Sequence, residues 1–295
     1  MNSFSFFSKK SLKPSWSYSP QGVIWRILVG KRDHIVGECR DNERKKATFF
    51  CLNGISGQPL WENKGMNEPW WVGIEAVHQD VVLVHGFEQP DMPGHRGIEA
   101  WKLETGEELW RNEETTFWFC YGERVYSYRT LFERRVGYAL ELRSGTVVET
   151  FENGIEELFP VRKLAVEEAG DDQLQFPEPV QADRLPGGLQ SFLEREVGNK
   201  EVVGGTEYLA AGPYLIMNYH VRSRNSTPES LKLDNHLAII DTKEGVRLFA
   251  DVVSRESSAP VPDSFFVRAG FLYFIKDQRT LSALELPGLS DEVSS

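Results

Sequence analysis

The sequence predicts an all-β fold, a β-propeller of six four-stranded blades. A phrase of thirteen residues recurs along the chain, and self-similarity at a period of a few tens of residues is typical of repeat architectures. Two short runs rich in Val, Ile, Tyr and Phe precede every copy, as strands at regular spacing do in all-β proteins. Since no sustained helical periodicity accompanies them, we expect helices to be minor.

Each copy of the phrase predicts a β-hairpin. The four clear copies occupy residues 49–61, 98–110, 137–149 and 237–249. In each, apolar residues alternate with polar ones as in a half-buried strand, and a polar turn then closes on a glycine that can adopt a positive φ. A large side chain ends the second strand in three copies, at Trp61, Trp110 and Phe249.

Two weaker copies bring the number of predicted blades to six. They occupy residues 190–202 and 280–288. The turn glycines of the six copies are 39 to 53 residues apart, which fits the roughly 40–50 residues of a four-stranded blade. In the fourth unit, the two strands before the phrase are predicted at residues 157–161 and 163–169. A ring of seven blades is the alternative.

The two ends of the chain predict how the ring closes. The last unit lacks a fourth strand and a spare segment, residues 14–19, precedes the first unit, so we expect this segment to be the outer strand of the last blade. Residues 1–295 then form a single domain, with residues 1–13 as a flexible arm and residues 289–295 as a tail. Two insertions rich in polar residues, Gly and Pro, residues 167–189 and 225–233, are predicted to be loops.

Charge and composition exclude several classes of partner and location. The chain has 33 Lys and Arg residues and 44 Asp and Glu residues, which gives a net charge of −11. This charge argues against a nucleic acid as the partner, because binding its phosphates requires clustered cations. No run approaches the roughly 18 apolar residues of a membrane helix, and no apolar secretory segment precedes Lys9. Three cysteines without a CxxC pair indicate buried thiols and, with the missing secretory segment, a cytoplasmic location.

Catalytic motifs are missing, but one stretch has the side chains of a binding surface. No phosphate-binding glycine loop, nucleophile elbow or metal-ligand spacing occurs, so we assign no catalytic, cofactor-binding or metal-binding residue. Histidines and carboxylates around residues 86–94 have the chemistry of a metal or acid–base site, although polar hairpin loops often share this composition. Adjacent tryptophans point to opposite faces of a strand, so at least one is expected to be exposed, as in binding hot spots. The candidate binding surface consists of Trp70, Trp71, His85, Asp91, His95 and Arg96.

The pattern A-L-x-x-x-x-G-x-x-L-W resembles a known repeat, and residues 100–110 match it with Trp101 in place of its first Leu and Gly106 in its turn. It is similar to the pyrroloquinoline-quinone-like (PQQ-like) propeller repeat of quinoprotein dehydrogenases and of outer-membrane assembly scaffold lipoproteins. The chain also resembles a bacterial domain-of-unknown-function family of short cytosolic proteins, which implies a propeller without an assigned activity. The dehydrogenases carry a vicinal cysteine pair and a calcium-bound cofactor site, and the scaffolds a lipidated cysteine. Because this chain lacks both cysteine patterns, no cofactor is expected, PQQ included.

The leading functional prediction is a non-catalytic propeller that binds another protein as an interaction or scaffold module. The repeat, the missing catalytic set and the loops at residues 86–97 and 167–189 favour it. The alternative is a small-molecule-binding protein or an enzyme with a site in a central channel. Such a site would combine residues from several blades and leave no contiguous motif.

Overall fold

The computed structural model describes most of the chain and consists mainly of strands. The described residues are 11–30, 33–89, 92–132, 134–170, 173–180, 189–261 and 264–289. The chain divides into two compact units, Pro20–Asp171 and Met1–Ser19 together with Asp172–Ser295, and each is described by itself. The all-β prediction is confirmed.

The elements follow one another in a regular order. From the N-terminus, the strands are β1 (Trp16–Tyr18), β2 (Val23–Val29), β3 (His34–Asp41), β4 (Lys46–Asn53), β5 (Pro59–Lys64), β6 (Val72–His78), β7 (Val81–Gln89), β8 (Met92–Lys102), β9 (Glu108–Asn112), β10 (Thr116–Tyr121), β11 (Arg124–Leu131), β12 (Arg134–Glu141) and β13 (Val147–Phe151). They are followed by a 3₁₀ turn (Ile155–Leu158), helix α1 (Phe159–Glu168), β14 (Leu174–Gln175), β15 (Glu178–Pro179), helix α2 (Leu189–Val197), β16 (Glu207–Ala211), β17 (Tyr214–Arg222), β18 (Leu233–Asp241), β19 (Val246–Ser257), β20 (Phe265–Arg268), β21 (Phe271–Lys276) and β22 (Thr280–Glu285).

In the described residues, the strands form five four-stranded antiparallel meanders. Strands β2–β5, β6–β9 and β10–β13 belong to the first unit, and a single parallel pair, Gly97 with Thr116, joins the second of these sheets to the third. Strands β16–β19, and β20–β22 with β1, belong to the second unit, where β15 and β14 extend the two sheets at their edges. Up-and-down sheets of four strands are the blades of β-propellers. The ring and the number of blades stay predictions.

The repeated phrase has a definite structural role between successive sheets. Gly106 and Gly145 adopt φ angles of 70° and 67° in the turns that follow β8 and β12. The ring of Trp61 lies over Gly106, and its Nε1–H donates to the Leu103 carbonyl at 2.7 Å. The ring of Trp110 lies over Gly145 in the same way. The terminal Trp of one hairpin therefore docks on the turn of the next, which explains why Gly and Trp recur together.

Each unit has its own apolar interior. In the first unit, the fully buried Trp101 packs edge-on against Phe49, with ring centroids 5.2 Å apart, and against Trp61 at 6.1 Å. In the second unit, Leu237 and Ile239 of β18 lie in one cluster with Phe265 and its neighbours. Burying an apolar side chain of this size contributes about 1.5–3 kcal/mol, so these clusters are the main stabilising term of each unit.

The N-terminal segment is the outer strand of the last sheet, as the sequence predicted. Strand β1 pairs antiparallel with β22, and the Ser17 and Ser282 hydroxyls lie 2.8 Å apart. Leu12, assigned to the predicted arm, donates its backbone N–H to Leu248 at 2.9 Å and packs on the apolar cluster of this unit. Residues 1–10 of the predicted arm and 290–295 of the predicted tail lie outside the described residues.

The predicted fourth unit is wrong. Residues 157–161 and 163–169, expected to be strands, form the end of the 3₁₀ turn and helix α1, and residues 190–202, expected to be a hairpin, lie largely in helix α2. Within the predicted insertion 167–189, the structure has only the short strands β14 and β15 apart from the helix ends, and residues 171–172 and 181–188 lie outside the described residues. The predicted insertion 225–233 connects β17 to β18.

Local sequence explains these helices once their spacing is considered. Pro160 lies in the first turn of α1, where its missing N–H costs no hydrogen bond. Leu158, Val161 and Ala165 are spaced by three and four residues and pack together. Gly198 follows α2 with a φ of 58° and donates its N–H to Glu194 at 2.8 Å, as a helix-terminating glycine does. In the described part of the chain, no helix is long and apolar enough to span a lipid bilayer.

The cysteine thiols are predicted to be unreactive in the folded protein. Burial raises the pKa of Cys39 and of Cys51 to about 12, and the Glu38 carboxylate adds to the effect at Cys39. Burial, and then the charge of Glu75, also raises the pKa of Cys120. Because the thiolate is the nucleophile, we expect Ellman's reagent at pH 8 to label the cysteines only after unfolding in guanidinium. Fast labelling of the native protein would contradict this burial.

Candidate functional site

The candidate site lies on the second sheet, where the hydrogen-bond register between three neighbouring strands is irregular. Glu75 lies on β6, His85 on β7 and His95 on β8. The pairing of β6 with β7 shifts between Ile74 and Ala76, so Glu75 is the extra residue of a bulge. Bulges turn side chains away from the regular alternation and are frequent beside functional sites.

A second irregularity places the two histidines together. The pairing of β7 with β8 shifts between Val84 and Gly86, and β8 turns at Gly97, whose φ is 71°. The Thr116 hydroxyl of the third sheet donates to the His95 carbonyl at 3.1 Å and holds this part of β8. The irregular pairing of β7 with β8 and the contact with the third sheet therefore hold His85 and His95 in place.

Glu75, His85 and His95 form a compact cluster. The Glu75 Oε1 atom lies 2.5 Å from His95 Nδ1 and 3.1 Å from His85 Nδ1. The two imidazole rings stack with their centroids 3.7 Å apart at an interplanar angle of 11°. The side chain of His85 is 3% exposed and that of His95 is 36% exposed. The cluster is thus buried at one end and open to solvent at the other.

The electrostatics of the cluster keep Glu75 ionised. Burial opposes ionisation of this carboxyl, but hydrogen bonding and charge from His85 and His95 outweigh burial and lower its pKa from 4.5 to about 2. Because the pKa in the folded state lies below the ordinary value, this interaction stabilises the fold above about pH 4.5, and the stabilisation is lost as the pH falls towards 2.

An aromatic row borders the cluster. The Phe87 ring meets His85 and His95 edge-on at centroid distances of 5.0 and 5.5 Å. Trp71 lies 6.4 Å from Phe87 and is 39% exposed, while Trp70 lies 6.4 Å from Trp71 and is half-buried. The row therefore runs from the half-buried Trp70 through Trp71 to Phe87, which lies beside the imidazoles.

A buried ion pair supports this row from the first sheet. Arg40 and Glu38 of β3 form an ion pair at 2.5 Å, and Glu38 also accepts the Ile74 N–H at 3.1 Å. The Arg40 guanidinium donates to the carbonyls of Trp70 and Val72 and lies over the Trp70 ring, 5.1 Å from its centroid. Trp70 is consequently a fixed support for its exposed neighbour.

A cavity of about 360 Å³ opens beside the aromatic row. Its walls include Met66, Trp71, His85, Phe87, Arg96 and Ile98. At its far side, Glu99 accepts the Trp101 Nε1–H at 2.6 Å and lies 2.9 Å from Arg111, although burial raises the pKa of this carboxyl. The volume is in the lower part of the 300–1,000 Å³ range typical of small-ligand sites.

Another polar cluster lies in the second unit, where Asn218 Oδ1 and Asn235 Nδ2 have no hydrogen-bond partner among the described residues. The Asn218 side chain donates to Asn235 at 2.6 Å, and His220 Nε2 accepts the Val261 N–H at 3.0 Å. The Tyr219 hydroxyl donates to Glu196 at 3.1 Å. These contacts join α2 and the loop before β20 to the sheet β16–β19, which is a structural role.

The structure brings together five of the six residues of the predicted binding surface, and the sixth, Asp91, lies outside the described residues. Glu75 and Phe87 also belong to this site, and neither was predicted from the sequence. Glu75 is the carboxylate of an otherwise apolar strand, V-G-I-E-A-V-H, and a charged residue in such a strand is a usable signal because burying it requires a partner. Phe87 gives no such signal, since aromatic residues are common in strands.

Comparisons with known proteins show similarity without an assigned activity. A family model described as a domain of unknown function (DUF4905) matches residues 30–110, about a quarter of the chain, and this stretch contains Glu75, His85 and His95. No curated protein matches the sequence.

Similar solved structures are distant. They include a eukaryotic initiation factor (10% identity, TM-score 0.34, 80% of this chain and 55% of that chain), the Dos1 propeller (9%, 0.31, 89% and 68%) and the β-propeller domain of the trilobed protease from Pyrococcus furiosus (10%, 0.28, 88% and 79%). The chain spans about half the length of the initiation-factor chain. Because identities and TM-scores are this low, we infer neither fold nor function from them.

Proposed function

We propose that this protein is a non-catalytic interaction module that binds another protein through the surface around Trp71. The observation that carries the proposal is a cavity lined by the exposed side chains of Trp71 and Arg96. Trp and Arg are the residues most enriched at energetic hot spots of protein interfaces. A side chain of the partner would fill the cavity.

The rigidity of the surface supports binding. The Glu68 carboxylate accepts the N–H groups of Trp70 and Trp71 at 3.0 and 3.1 Å, and the Arg40 guanidinium holds the Trp70 carbonyl. A backbone held in this way loses little conformational entropy on association, so more of the contact energy appears as affinity.

Charge indicates the chemistry of the partner. The protein carries a net charge of −11, and the exposed Glu68 and Glu113 line the mouth of the cavity. We therefore propose a partner that presents an apolar side chain flanked by basic residues. Complementary charge raises the association rate and is screened by salt, so binding is expected to weaken as ionic strength rises.

Photo-crosslinking in the cells that naturally produce the protein tests the proposal. A benzophenone amino acid replaces Trp71, and in a matched control it replaces Phe132, a fully exposed residue in the turn between β11 and β12. We expect one dominant crosslinked protein from position 71 and none at comparable yield from position 132.

A loss-of-binding variant completes the test. Trp71→Ala combined with Arg96→Ala removes the two proposed hot spots, and we expect the crosslinked partner to be lost from the complex seen by native mass spectrometry. Because Trp71 is only 39% exposed and contacts the rings of Trp70 and Phe87, some loss of stability is expected, and binding is measured well below the melting temperature of the variant. An unchanged complex, or equal crosslinking from both positions, would reject the proposed surface.

A second candidate function is the binding of a small molecule in the same cavity. Its volume of about 360 Å³ and its mixture of aromatic and charged walls favour this candidate. Native mass spectrometry separates the two functions, because a small ligand adds a few hundred daltons at most to the protein mass. The alternative derived from the sequence, a site in a central channel, remains a prediction.

A further inference from the structure

We propose that Glu75, His85 and His95 bind a divalent transition-metal cation of the zinc type. Each of the three side chains offers one ligand atom, and these atoms all lie within 4.8 Å of one another. Two imidazoles and one carboxylate are a common set of protein ligands for zinc, with a further position left for water. The inference goes beyond the proposed protein-binding function and does not depend on it.

The buried imidazole of His85 is not fully satisfied within the protein. The side chain is 3% exposed, Nε2 has no hydrogen-bond partner among the described residues, and Nδ1 has there only its ion-pair contact with Glu75 Oε1 at 3.1 Å. Leaving a buried polar group without a partner costs about 1–3 kcal/mol, so such groups are rare in folded proteins. A cation bound at one of the ring nitrogens would supply a partner that the protein does not.

The backbone makes room for the buried imidazole at one position. A Cβ atom at Gly73 would lie 2.9 Å from His85 Cε1, closer than side-chain carbons approach one another. Gly73 is opposite His85 in the pairing of β6 with β7, so a larger residue at this position would collide with the imidazole ring. The strands thus preorganise the donors, which lowers the entropic cost of binding.

The third side chain gives the site access to solvent. His95 is 36% exposed, and its Nδ1 lies 2.5 Å from Glu75 Oε1. An entering cation would take the place of this hydrogen bond, because an imidazole nitrogen that binds a metal carries no proton. The protein supplies three ligands, and solvent reaches them, so an exchangeable water can take the fourth position. The site is therefore an open site rather than a closed structural one.

The donor set also predicts which cations are rejected. Ca²⁺ and Mg²⁺ prefer six or more oxygen ligands, whereas imidazole suits Zn²⁺ and its transition-metal neighbours. Selectivity for Zn²⁺ over Ca²⁺ is therefore part of the inference.

Calorimetric titration of the full chain, stripped with a chelator, with Zn²⁺ alone tests the site. We expect one equivalent to bind, and the melting temperature to rise with the Zn²⁺ concentration because the cation binds the folded state. Glu75→Gln keeps the shape of the side chain, and His95→Ala changes the more exposed imidazole. Losing even a hydrogen-bond partner of a metal ligand costs about 10–100-fold in affinity, so each variant should bind at least about 100-fold more weakly.

The matched control is His78→Ala. His78 lies on the same strand as Glu75 but bonds the Gly122 carbonyl at 2.7 Å and is outside the cluster, so this variant should keep wild-type affinity. Failure of the wild-type protein to bind Zn²⁺ at micromolar concentrations, unchanged affinity in both ligand variants, or equal binding of Ca²⁺ would each overturn the inference. None of these outcomes bears on crosslinking from position 71, so the two proposals fail independently.

Discussion

Replacing Gly145 with alanine is expected to lower the free energy of unfolding by about 2–4 kcal/mol. The glycine has a φ of 67°, where an alanine is strained, and a Cβ atom would lie 2.5 Å from Cδ2 of Trp110. The ring cannot move aside freely because its Nε1–H donates to the Leu142 carbonyl at 2.8 Å. Urea unfolding followed by circular dichroism measures the effect.

The control for this variant is Gly122→Ala. Gly122 has a φ of 57°, and nothing lies within 4 Å of the position of a Cβ, so only backbone strain of about 1–2 kcal/mol is expected. The difference between the two variants isolates the contact between the Trp ring and the turn. Equal losses would show that the repeated Gly and Trp do not depend on each other, which would contradict the docking seen at both hairpins.

Deleting residues 1–19 is expected to destabilise the protein by about 3 kcal/mol or more, because several net hydrogen bonds of about 1 kcal/mol each are lost. Strand β1 pairs with β22 over three residues, and Trp16 lies 6.1 Å from the Tyr273 ring. The deletion would also expose the edge of β22, which favours aggregation. Thermal unfolding and light scattering measure the two effects.

A shorter deletion provides the comparison. Removing only residues 1–10 keeps β1 and also keeps Leu12, whose N–H bonds Leu248. This variant should retain most of the wild-type stability. If both deletions melt at the wild-type temperature, β1 contributes nothing measurable, and its role as the outer strand of the last sheet has no energetic basis.

Most strands of this fold were predictable because their signals are local. The β-forming residues of β3 and β4 and the turn glycine Gly57 depend on neighbouring residues alone, and the structure has these strands and this turn where the sequence predicts them. The expected half-buried alternation is not seen, because consecutive residues of both strands are buried. The fourth unit was not predictable in this way, because Gly198 has the same positive φ at a helix end as Gly57 has in a hairpin turn. Spacing between glycines does not distinguish the two uses.

The candidate site shows the same division. The sequence indicated Trp71, His85 and His95, because unusual residue types cluster on one stretch of chain. Glu75 was missed, since its relation to the histidines depends on two strand registers and on a bulge that no local pattern specifies. Register errors of one residue would turn these side chains to the opposite face.

The sequence by itself determined the all-β class, the hairpin phrase with its Gly turn and terminal Trp, and the N-terminal outer strand, because these depend on local residue types and turn chemistry. Only the tertiary structure decided that Glu75 contacts both imidazoles and that the fourth unit is helical. The physical reason is that contacts between strands follow from register and burial, which are properties of the packed chain rather than of any one segment.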